Sequence, residues 1–466
     1  MRIMTPLLTT TSSPSFSVSK PATAVSTMHR LVANREYDIE FHGYLSNHAK
    51  HAVIALERLG APATRIEAYW DAYTDTTPYG LSLHRATRDD GEDSTISPAS
   101  SDEWYTLRGK KQRFWNMCHY LQDELHGTFD GNINAMVQSY APDLLSGLPG
   151  ALTHGIIHLG WSLDAYRNDN DDALTQDPNQ NHQKNPWMVI EGLAYLNFSF
   201  LSVHPEQFQH AAIDEKSAME TWRRIARTWD TDHLQRSWIE PAKAKYDETS
   251  GFHSELVPAG FQWQLSKVLD QPHPIMTQLP TWLDTMGIPT LLEELYKMAT
   301  ILYLVTRDSQ DGHGNFLILH LITSLWGLEH VLNVIQNDDI ARSALKCYHV
   351  TMVGLLATST GGIPSVDALD KIVVDQNLYT SVDTAQQAKM HETTEWSDKI
   401  RRAVYDEEEE HNIKLVYVTR ALWRRYRHWT AFRVAAQAFT LTPDIGGSSG
   451  GGNGGTSSSS STAFQA

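Results

Sequence analysis

The chain has 466 residues, and its 38 Lys and Arg against 55 Asp and Glu give a formal net charge of −17 at neutral pH. So acidic a chain has no general attraction for polyanions, which excludes nucleic acid as a main partner. Its only two cysteines are Cys118 and Cys347. This count argues against a disulfide framework or a cysteine metal site and predicts a reducing, cytoplasmic location.

The first thirty residues are rich in Ser and Thr and contain basic residues but no acidic one. This composition resembles an organelle transit peptide, but Pro14 and Pro21 would interrupt an amphipathic helix. We therefore predict a disordered tail over residues 1–30. We find no stretch with the uncharged apolar length of a membrane span.

From residue 31 to residue 445, apolar residues recur with helical spacing and alternating segments are scarce. This pattern predicts a mainly α protein, a single large helical domain whose helices pack around a central metal and substrate pocket. The first segment of interest, 47–56, contains His48 and His51 three residues apart. His51 begins the apolar stripe and His48 is its possible outer partner; a histidine at a helix start is the alternative.

The segment 151–166 reads Ala-Leu-Thr-His-Gly-Ile-Ile-His-Leu-Gly-Trp-Ser-Leu-Asp-Ala-Tyr and places His154 and His158 one helical turn apart. Such a pair can present two nitrogens to one cation. Gly155 and Gly160 would let a neighbouring helix or a substrate approach closely. Because the Glu of the zinc-protease motif is missing, the spacing alone leaves a metal role and a chance pairing open.

In the segment 316–331, the residues Phe316, His320 and Thr323 fall on about the same helix face. His320 is surrounded by aliphatic residues in the sequence. A buried imidazole needs a hydrogen-bond partner or a metal to offset its desolvation. The segment is therefore compatible with a metal ligand and with a core histidine bonded to a backbone carbonyl.

The segment 410–422 contains His411 and Lys414 three residues apart, followed by apolar residues. Lys414 could pair with Glu410 on a solvated face. Its position beside Ile413 and Leu415 favours burial instead, and a buried lysine is easily made neutral. A neutral amine reacts with carbon dioxide to form a carbamate, which offers an oxygen ligand to a metal that several imidazoles bind.

The chain ends in a Gly-rich and Ser-rich segment, residues 446–466, with almost nothing to bury. This composition is typical of a flexible coil, and we predict a disordered tail. No Gly-x-Gly-x-x-Gly follows a predicted strand, which argues against a flavin monooxygenase built on a dinucleotide-binding fold.

Together these segments resemble the questin oxidase-like proteins, fungal enzymes of aromatic polyketide pathways. The matching pieces are 47–56, 154–160, 191–196 (Glu-Gly-Leu-Ala-Tyr-Leu), 320–326 and 411–414. The resemblance implies oxygen chemistry on anthraquinones or related tricyclic phenols, opening a ring to give benzophenone-type products. Some members resemble Baeyer–Villiger oxidases that draw on NADPH, and others act as non-haem iron dioxygenases with several histidines and a carboxylated lysine.

Carried over residue by residue, the resemblance implies a metal site made of His51, His154, His158, His320, His411 and a carboxylated Lys414. It also implies catalytic roles for His51, Thr323 and Lys414, with Thr323 donating a hydrogen bond to the carbamate. Five imidazoles would leave little room for dioxygen, so we expect at least one of them to be an outer partner. Fe(II) suits such nitrogen and carboxylate-like donors.

A flat aromatic substrate requires apolar and aromatic pocket walls. The candidates nearest to the predicted ligands in sequence are Trp161, Tyr195, Phe198 and Trp326, although 14 Trp and 18 Tyr in the chain make core packing the alternative for each. The predicted partners are a small aromatic polyketide and dioxygen.

Two other interpretations remain open. The same cluster could hold Zn(II) and catalyse hydrolysis, since carbamylated lysine with histidines also occurs in hydrolytic sites. Alternatively, the chain is a helical binding or scaffold protein whose buried histidines satisfy one another. NADPH enters only as a possible external reductant, and the oligomeric state stays undetermined.

Overall fold

The computed structural model describes residues 22–42, 45–86, 103–167, 185–244, 261–378 and 384–443. Helices dominate these residues, which confirms the predicted mainly α fold. The predicted C-terminal tail and residues 1–21 of the predicted N-terminal tail lie outside the described residues. The predicted end of this tail at residue 30 is wrong, because a helix begins at Ala24. Its N-cap Thr23 accepts a hydrogen bond from the Ser26 backbone N–H, and Met28 is buried.

The α-helices of the described residues are α1 (Ala24–Val32), α2 (Ala49–Arg58), α3 (Ala63–Asp75), α4 (Phe114–Gly127), α5 (Ile133–Tyr140), α6 (His154–Arg167), α7 (Trp187–Phe198), α8 (Ala218–Thr231), α9 (Glu240–Ala244), α10 (Phe261–Asp270), α11 (Pro274–Thr277), α12 (Trp282–Thr285), α13 (Ile288–Val305), α14 (Phe316–Ile335), α15 (Asp338–Thr358), α16 (Val366–Asp375), α17 (Ala385–His391), α18 (Ser397–Arg401), α19 (Glu410–Arg425) and α20 (Thr430–Ala435). Shorter 3₁₀ and π turns connect several of them.

The strands within the described residues are β1 (Glu40–Phe41), β2 (Leu45–Ser46), β3 (Gln209–Ile213) and β4 (Gln278–Pro280). β1 pairs with β2 in antiparallel fashion, with Glu40 opposite Ser46. β3 pairs with β4 in parallel. The β1–β2 ribbon leads directly into α2 and holds Tyr195 of α7, whose hydroxyl lies 2.5 Å from Ser46 Oγ and donates to Glu40 Oε1 at 2.8 Å.

α6 lies at the centre of the fold and packs against both α7 and α14. Glycines make these contacts close: a Cβ added to Gly160 would lie 2.0 Å from the carbonyl oxygen of Gly327 in α14. On the other side, a Cβ added to Gly192 of α7 would lie 2.5 Å from Leu159 Cα, and one added to Gly155 would lie 2.7 Å from Leu196 Cα. The expected close approach of a neighbouring helix to Gly155 and Gly160 is therefore confirmed.

Among the described residues, α14 is the helix that bears on the predicted absence of a membrane span. Within this 20-residue helix an 18-residue window has a mean hydropathy of 1.4, so by length and composition the helix is apolar enough to cross a bilayer. Within the structure nearly all of it is buried against α6, α13, α15 and α19. A helix that is apolar all round is expected in the core of a large protein as well as in a membrane.

We predict that Gly160→Ala destabilises the protein by about 2 kcal/mol or more, because the new methyl group would collide with the α14 backbone and force the helices apart. Gly127→Ala is the matched control, since a Cβ there meets nothing within 4 Å. In the control, better helix propensity should leave stability unchanged or raise it by up to about 1 kcal/mol. Equilibrium urea unfolding measures the free energy of unfolding of the two variants. Equal values would contradict the close contact between Gly160 and α14.

Candidate metal centre

Four buried histidines from four different helical segments meet in the core. His48 directly precedes α2, His154 is the first residue of α6, His320 lies in the second turn of α14, and His411 lies in the first turn of α19. One ring nitrogen of each lies within 4.8 Å of those of the other three. We refer to His48, His154, His320 and His411 as the four-histidine cluster.

The backbone conformation before α6 positions the side chain of His154. The residues before His154 are Ala151, Leu152 and Thr153, with φ values of 46°, 52° and 66°. Three successive non-glycine residues in the left-handed region store backbone strain of the kind that collects at functional sites. The strained turn brings the carbonyl of Ala151 within hydrogen-bonding reach of the His154 ring.

Three of the four rings have one nitrogen committed to an oxygen acceptor. Nδ1 of His154 bonds the carbonyl of Ala151, and Nδ1 of His320 lies 2.9 Å from the carbonyl of Phe316, one turn earlier in α14. Nδ1 of His411 lies 2.7 Å from Oε1 of Glu409, the N-cap residue of α19. Since an oxygen acceptor requires the N–H on Nδ1, each Nε2 carries a lone pair.

These lone pairs converge on one another. Nε2 of His154 lies 3.2 Å from Nε2 of His320, and with both N–H groups on Nδ1 neither of these nitrogens can donate. Nε2 of His411 is buried and has no hydrogen-bond partner among the described residues. Buried acceptors facing each other are costly unless a cation lies between them. The donor set therefore fits a metal ion that takes imidazole ligands.

Burial also keeps the imidazoles in the state that binds metals. It lowers the pKa of each ring of the four-histidine cluster well below the usual value, and neighbouring positive charges lower these pKa values further. The aromatic ring of Phe316 covers two of the rings, with centroids 5.2 Å from His320 and 4.6 Å from His411. Neutral imidazole is the form that coordinates a cation.

Lys414 lies fully buried beside the cluster, with Nζ 3.0 Å from Nδ1 of His48. The alternative of a lysine on a solvated helix face is therefore wrong. Burial lowers the pKa of Lys414 to about 8, against the opposing pull of Glu410 and Glu409. The amine is still mostly protonated at pH 7, but its neutral fraction, which carbamate formation requires, is far larger than that of an ordinary lysine.

The two acidic residues at the start of α19 are buried as well. Burial raises the pKa of Glu409 to about 7 and that of Glu410 to about 8. Glu410 Oε1 accepts hydrogen bonds from the hydroxyls of Tyr79 at 2.9 Å and Tyr73 at 3.3 Å, whereas its Oε2 has no partner among the described residues. Carboxyl oxygens of both residues and a ring nitrogen of His411 lie within 4.8 Å of one another.

The predicted ligands His51 and His158 lie beside the four-histidine cluster. His51 Nδ1 is 3.0 Å from His48 Nδ1, and His51 Nε2 is 3.0 Å from His158 Nδ1. The sequence interpretation placed His51 in the metal site and His48 outside it, and the geometry favours the reverse order. Sequence spacing could not decide this, because both residues lie at the start of α2 and only the tertiary fold shows which ring faces the other helices.

Thr323 also has a different partner from the one expected. Its hydroxyl donates to the carbonyl of His320 in its own helix at 3.5 Å. The hydrogen bond from Thr323 to a carbamate on Lys414 stays a prediction.

The four predicted pocket residues lie in two places. Trp161 and Trp326 are buried around Tyr417, and their indole N–H groups donate to the carbonyl of Thr323 and to Asp164. The Tyr195 and Phe198 rings stack 4.8 Å apart, with Tyr195 6.3 Å from His158. The ring of Trp161 lies 6.0 Å from that of His51. Their role as substrate walls stays a prediction.

The fold and the cluster thus define a helical protein with a buried, histidine-rich candidate metal site. Residues 45–419 match the model of the questin oxidase-like family, and the chain belongs to this family. Membership implies an oxidoreductase of the oxygenase kind, connected with fungal polyketide metabolism. No curated protein matches the chain.

We predict that His320→Ala lowers the affinity for a divalent metal at least tenfold, because it removes one of the converging Nε2 lone pairs. His349→Ala is the matched control: His349 is equally buried, in α15, but lies outside the cluster. Metal content after reconstitution and affinity by chelator competition are the measurements. Equal metal binding by both variants would contradict a metal site at the cluster.

We further predict that the metal-free protein loses stability as the pH falls below about 6.5. Burial holds the pKa of His51 and His158, like those of the four-histidine cluster, below the usual value. The unfolded chain therefore takes up protons at these positions before the folded protein does. The raised pKa values of Glu409 and Glu410 have the opposite effect, because these carboxyls take up protons in the folded protein first and so stabilise it as the pH falls. Six histidines act against these two carboxyls, so the net result is a loss of stability. Denaturant unfolding between pH 7 and pH 5 measures how the free energy of unfolding changes with pH. Increasing stability towards pH 5 would refute the prediction.

Proposed function

We propose that this protein is a non-haem iron-dependent dioxygenase that opens the ring of an anthraquinone-type polyketide, in its hydroquinone form, by carbon–carbon cleavage to a benzophenone-type product. The observation that carries the proposal is the convergence of buried, unprotonated imidazole nitrogens in a chain of the questin oxidase-like family. The alternative is a helical binding protein whose buried histidines satisfy one another's hydrogen bonds. It is less favoured, because Nε2 of His411 has no hydrogen-bond partner among the described residues.

In this proposal the four-histidine cluster holds Fe(II), and Lys414 adds a carbamate oxygen after reacting with carbon dioxide. Imidazole and carboxylate-like donors suit Fe(II). Bound Fe(II) would supply the one-electron chemistry that allows dioxygen to react with an electron-rich phenol. The backbone carbonyls of Ala151 and Phe316 and the carboxylate of Glu409 orient three of the rings, which pre-organises the site before any ion binds.

The surrounding side chains control access and polarity. Phe316 covers His320 and His411 from one side, and the fully buried Trp161 lies against His51. Such apolar surroundings exclude bulk water and strengthen every electrostatic contact inside the site. We propose that Trp161, Tyr195, Phe198 and Trp326 form part of the walls that receive the flat aromatic substrate.

A second candidate is an NADPH-requiring Baeyer–Villiger oxidase of the questin type, which the family match favours. The two candidates share the substrate class and differ in the source of electrons. In the dioxygenase, the reduced substrate supplies them; in the Baeyer–Villiger enzyme, NADPH does. Both are compatible with a cytoplasmic location, which we propose from the two free, buried cysteines.

The decisive experiment is anaerobic reconstitution with Fe(II), followed by addition of dioxygen and a panel of anthraquinones in oxidised and reduced forms. We expect oxygen uptake and ring-opened product from the hydroquinone form without NADPH, and neither from Zn(II)-loaded protein. Turnover that requires NADPH with the oxidised quinone would favour the Baeyer–Villiger candidate. Equal turnover by metal-free protein would refute the iron proposal, and hydrolysis only by Zn(II)-loaded protein would favour a hydrolase.

We predict that Lys414→Ala abolishes most activity, because the site loses the oxygen ligand that the carbamate would provide. Formate or acetate should restore part of the activity by entering the space and supplying a carboxylate oxygen. In the wild type, incubation with ¹³C-bicarbonate should give a carbamate carbon signal in the ¹³C NMR spectrum that Lys414→Ala lacks. A Lys414→Ala variant with full iron content and full activity would show that Lys414 is not part of the proposed site.

A further inference from the structure

Three buried aromatic side chains lie in a row beside the histidines. Measured between ring centroids, Trp161 of α6 lies 6.0 Å from His51, and Tyr417 of α19 lies 5.7 Å from Trp161. Trp326 of α14 follows at 5.5 Å from Tyr417. Separations of this size are those of aromatic rings in direct contact. We refer to Trp161, Tyr417 and Trp326, all of them buried, as the aromatic triad.

The close packing of α6 against α14 brings the two indoles of the aromatic triad together. Trp161 directly follows Gly160, and Trp326 directly precedes Gly327. These glycines are the positions at which the two helix backbones touch, because a Cβ on Gly160 would collide with the carbonyl of Gly327. Both indoles therefore reach the same phenol ring, that of Tyr417. The contact that sets the distance between the histidines of α6 and α14 thus also assembles the aromatic triad.

Asp164 of α6 is the shared hydrogen-bond acceptor of the phenol and one indole. The hydroxyl of Tyr417 donates to Oδ2 of Asp164 at 2.7 Å, and Nε1 of Trp326 donates to the same oxygen at 3.0 Å. Nε of Arg58 lies 3.6 Å from the other oxygen, Oδ1. A carboxylate within hydrogen-bonding distance of a phenol is placed to take up its proton.

Trp326 leads to the protein surface. The guanidinium of Arg425 lies over its ring at 5.3 Å, and the Arg425 side chain is 38% exposed. The half-buried ring of His330 lies 4.7 Å from the same indole. The aromatic triad therefore extends from the buried histidines to side chains that solvent reaches.

The three members differ in what happens to the proton when an electron is removed. Nε1 of Trp161 donates to a peptide carbonyl, that of Thr323, at 3.4 Å. A peptide carbonyl does not take up a proton, so an oxidised Trp161 stays a cation. Burial and the negative charge of Asp164 raise the pKa of Tyr417, so the resting phenol keeps its proton. Oxidation of Tyr417 can release this proton to Asp164 and leave a neutral radical.

We propose that the aromatic triad is a redox relay that supplies one electron to the metal centre when dioxygen is activated there without a substrate. The oxidant is the oxidised metal centre, which takes one electron from Tyr417 through Trp161. The O–H bond of Tyr417 breaks, its proton passes to Oδ2 of Asp164, and a neutral tyrosyl radical remains. A solvent reductant of the thiol or enediol class returns the electron through Trp326, and Asp164 returns the proton.

The benefit of such a relay is protection of the site. An oxidant left without a substrate attacks the groups nearest to it, which here are the imidazoles of the four-histidine cluster. Moving the oxidising equivalent to Tyr417 and then to the surface spares them. The inference rests on the proposed function, because the oxygen-activating metal is the source of the oxidant.

The first test follows the radical in Fe(II)-loaded protein that is mixed with dioxygen in the absence of substrate. Rapid-freeze EPR on protein with ring-deuterated tyrosine identifies a tyrosyl radical by the change in its hyperfine pattern. We expect this signal in the wild type and its loss in Tyr417→Phe. Tyr348→Phe is the matched control and should keep the signal, since Tyr348 is equally buried but donates to the carbonyl of Leu321.

A second variant separates proton transfer from mere packing. Asp164→Asn keeps an oxygen acceptor beside Tyr417 but cannot take up the proton, so the tyrosyl signal should be lost although the phenol is present. In both variants of the relay, peptide mass spectrometry should find more oxidation of Trp161 and of the clustered histidines than in the wild type. Tyr417 belongs to neither the metal site nor the proposed pocket walls, so Tyr417→Phe should turn over substrate at the wild-type initial rate.

The outcomes distinguish the relay from the function on which it rests. An unchanged tyrosyl signal in Tyr417→Phe would overturn the relay, and so would a signal that disappears instead on replacing Tyr73 or Tyr79, whose hydroxyls bond Glu410. Wild-type protein that holds iron and consumes dioxygen without forming a tyrosyl radical would overturn the relay alone. Wild-type protein that takes up no iron would overturn the proposed function as well.

The electron path itself can be measured in the metal-free protein. Pulse radiolysis with the azide radical removes one electron from tryptophan, and transient absorption then follows transfer from the indole radical to tyrosine. We expect the yield of tyrosyl radical to fall in Tyr417→Phe and in Asp164→Asn but not in Tyr348→Phe. Equal yields in all these proteins would overturn the proposed path through Tyr417, whatever the metal content of the protein.

Discussion

The structure depends on the cost of burying neutral imidazoles whose lone pairs face one another. An imidazole placed in an apolar core loses its contacts with water, and each nitrogen must find a replacement. In this protein the Nδ1 atoms of His154, His320 and His411 have oxygen partners from the protein. Among the described residues, their Nε2 atoms have no oxygen partner, so the arrangement fits a cation between them.

The close packing of α6 makes this arrangement possible. Gly160 meets Gly327 of α14, and Gly192 of α7 meets Leu159, so that the backbones on both sides of α6 approach closely. Larger residues at these positions would hold the helices apart and move His154 away from His320. The glycines therefore matter for the chemistry because they set the distance between the histidines, and a metal tolerates only small deviations in ligand position.

The acidic and basic groups around the cluster have separate tasks. Glu409 orients His411 directly, whereas the ion pair of Lys50 and Glu191 is separated from His48 by two rings. Lys414 is buried, with Nζ 3.0 Å from Nδ1 of His48. A buried ion pair such as that of Lys50 and Glu191 contributes little net stability once desolvation is counted.

The sequence by itself determined the helical fold, the burial of histidines in apolar helices and the family, because periodicity and local motifs are properties of neighbouring residues. Through the family resemblance it also indicated six candidates for one metal site: His51, His154, His158, His320, His411 and Lys414. Only the tertiary structure decided that His48 joins them and that His51 and His158 lie further out. The reason is physical: which ring at the start of a helix faces a distant helix depends on how the helices pack, and spacing along one helix does not encode that packing.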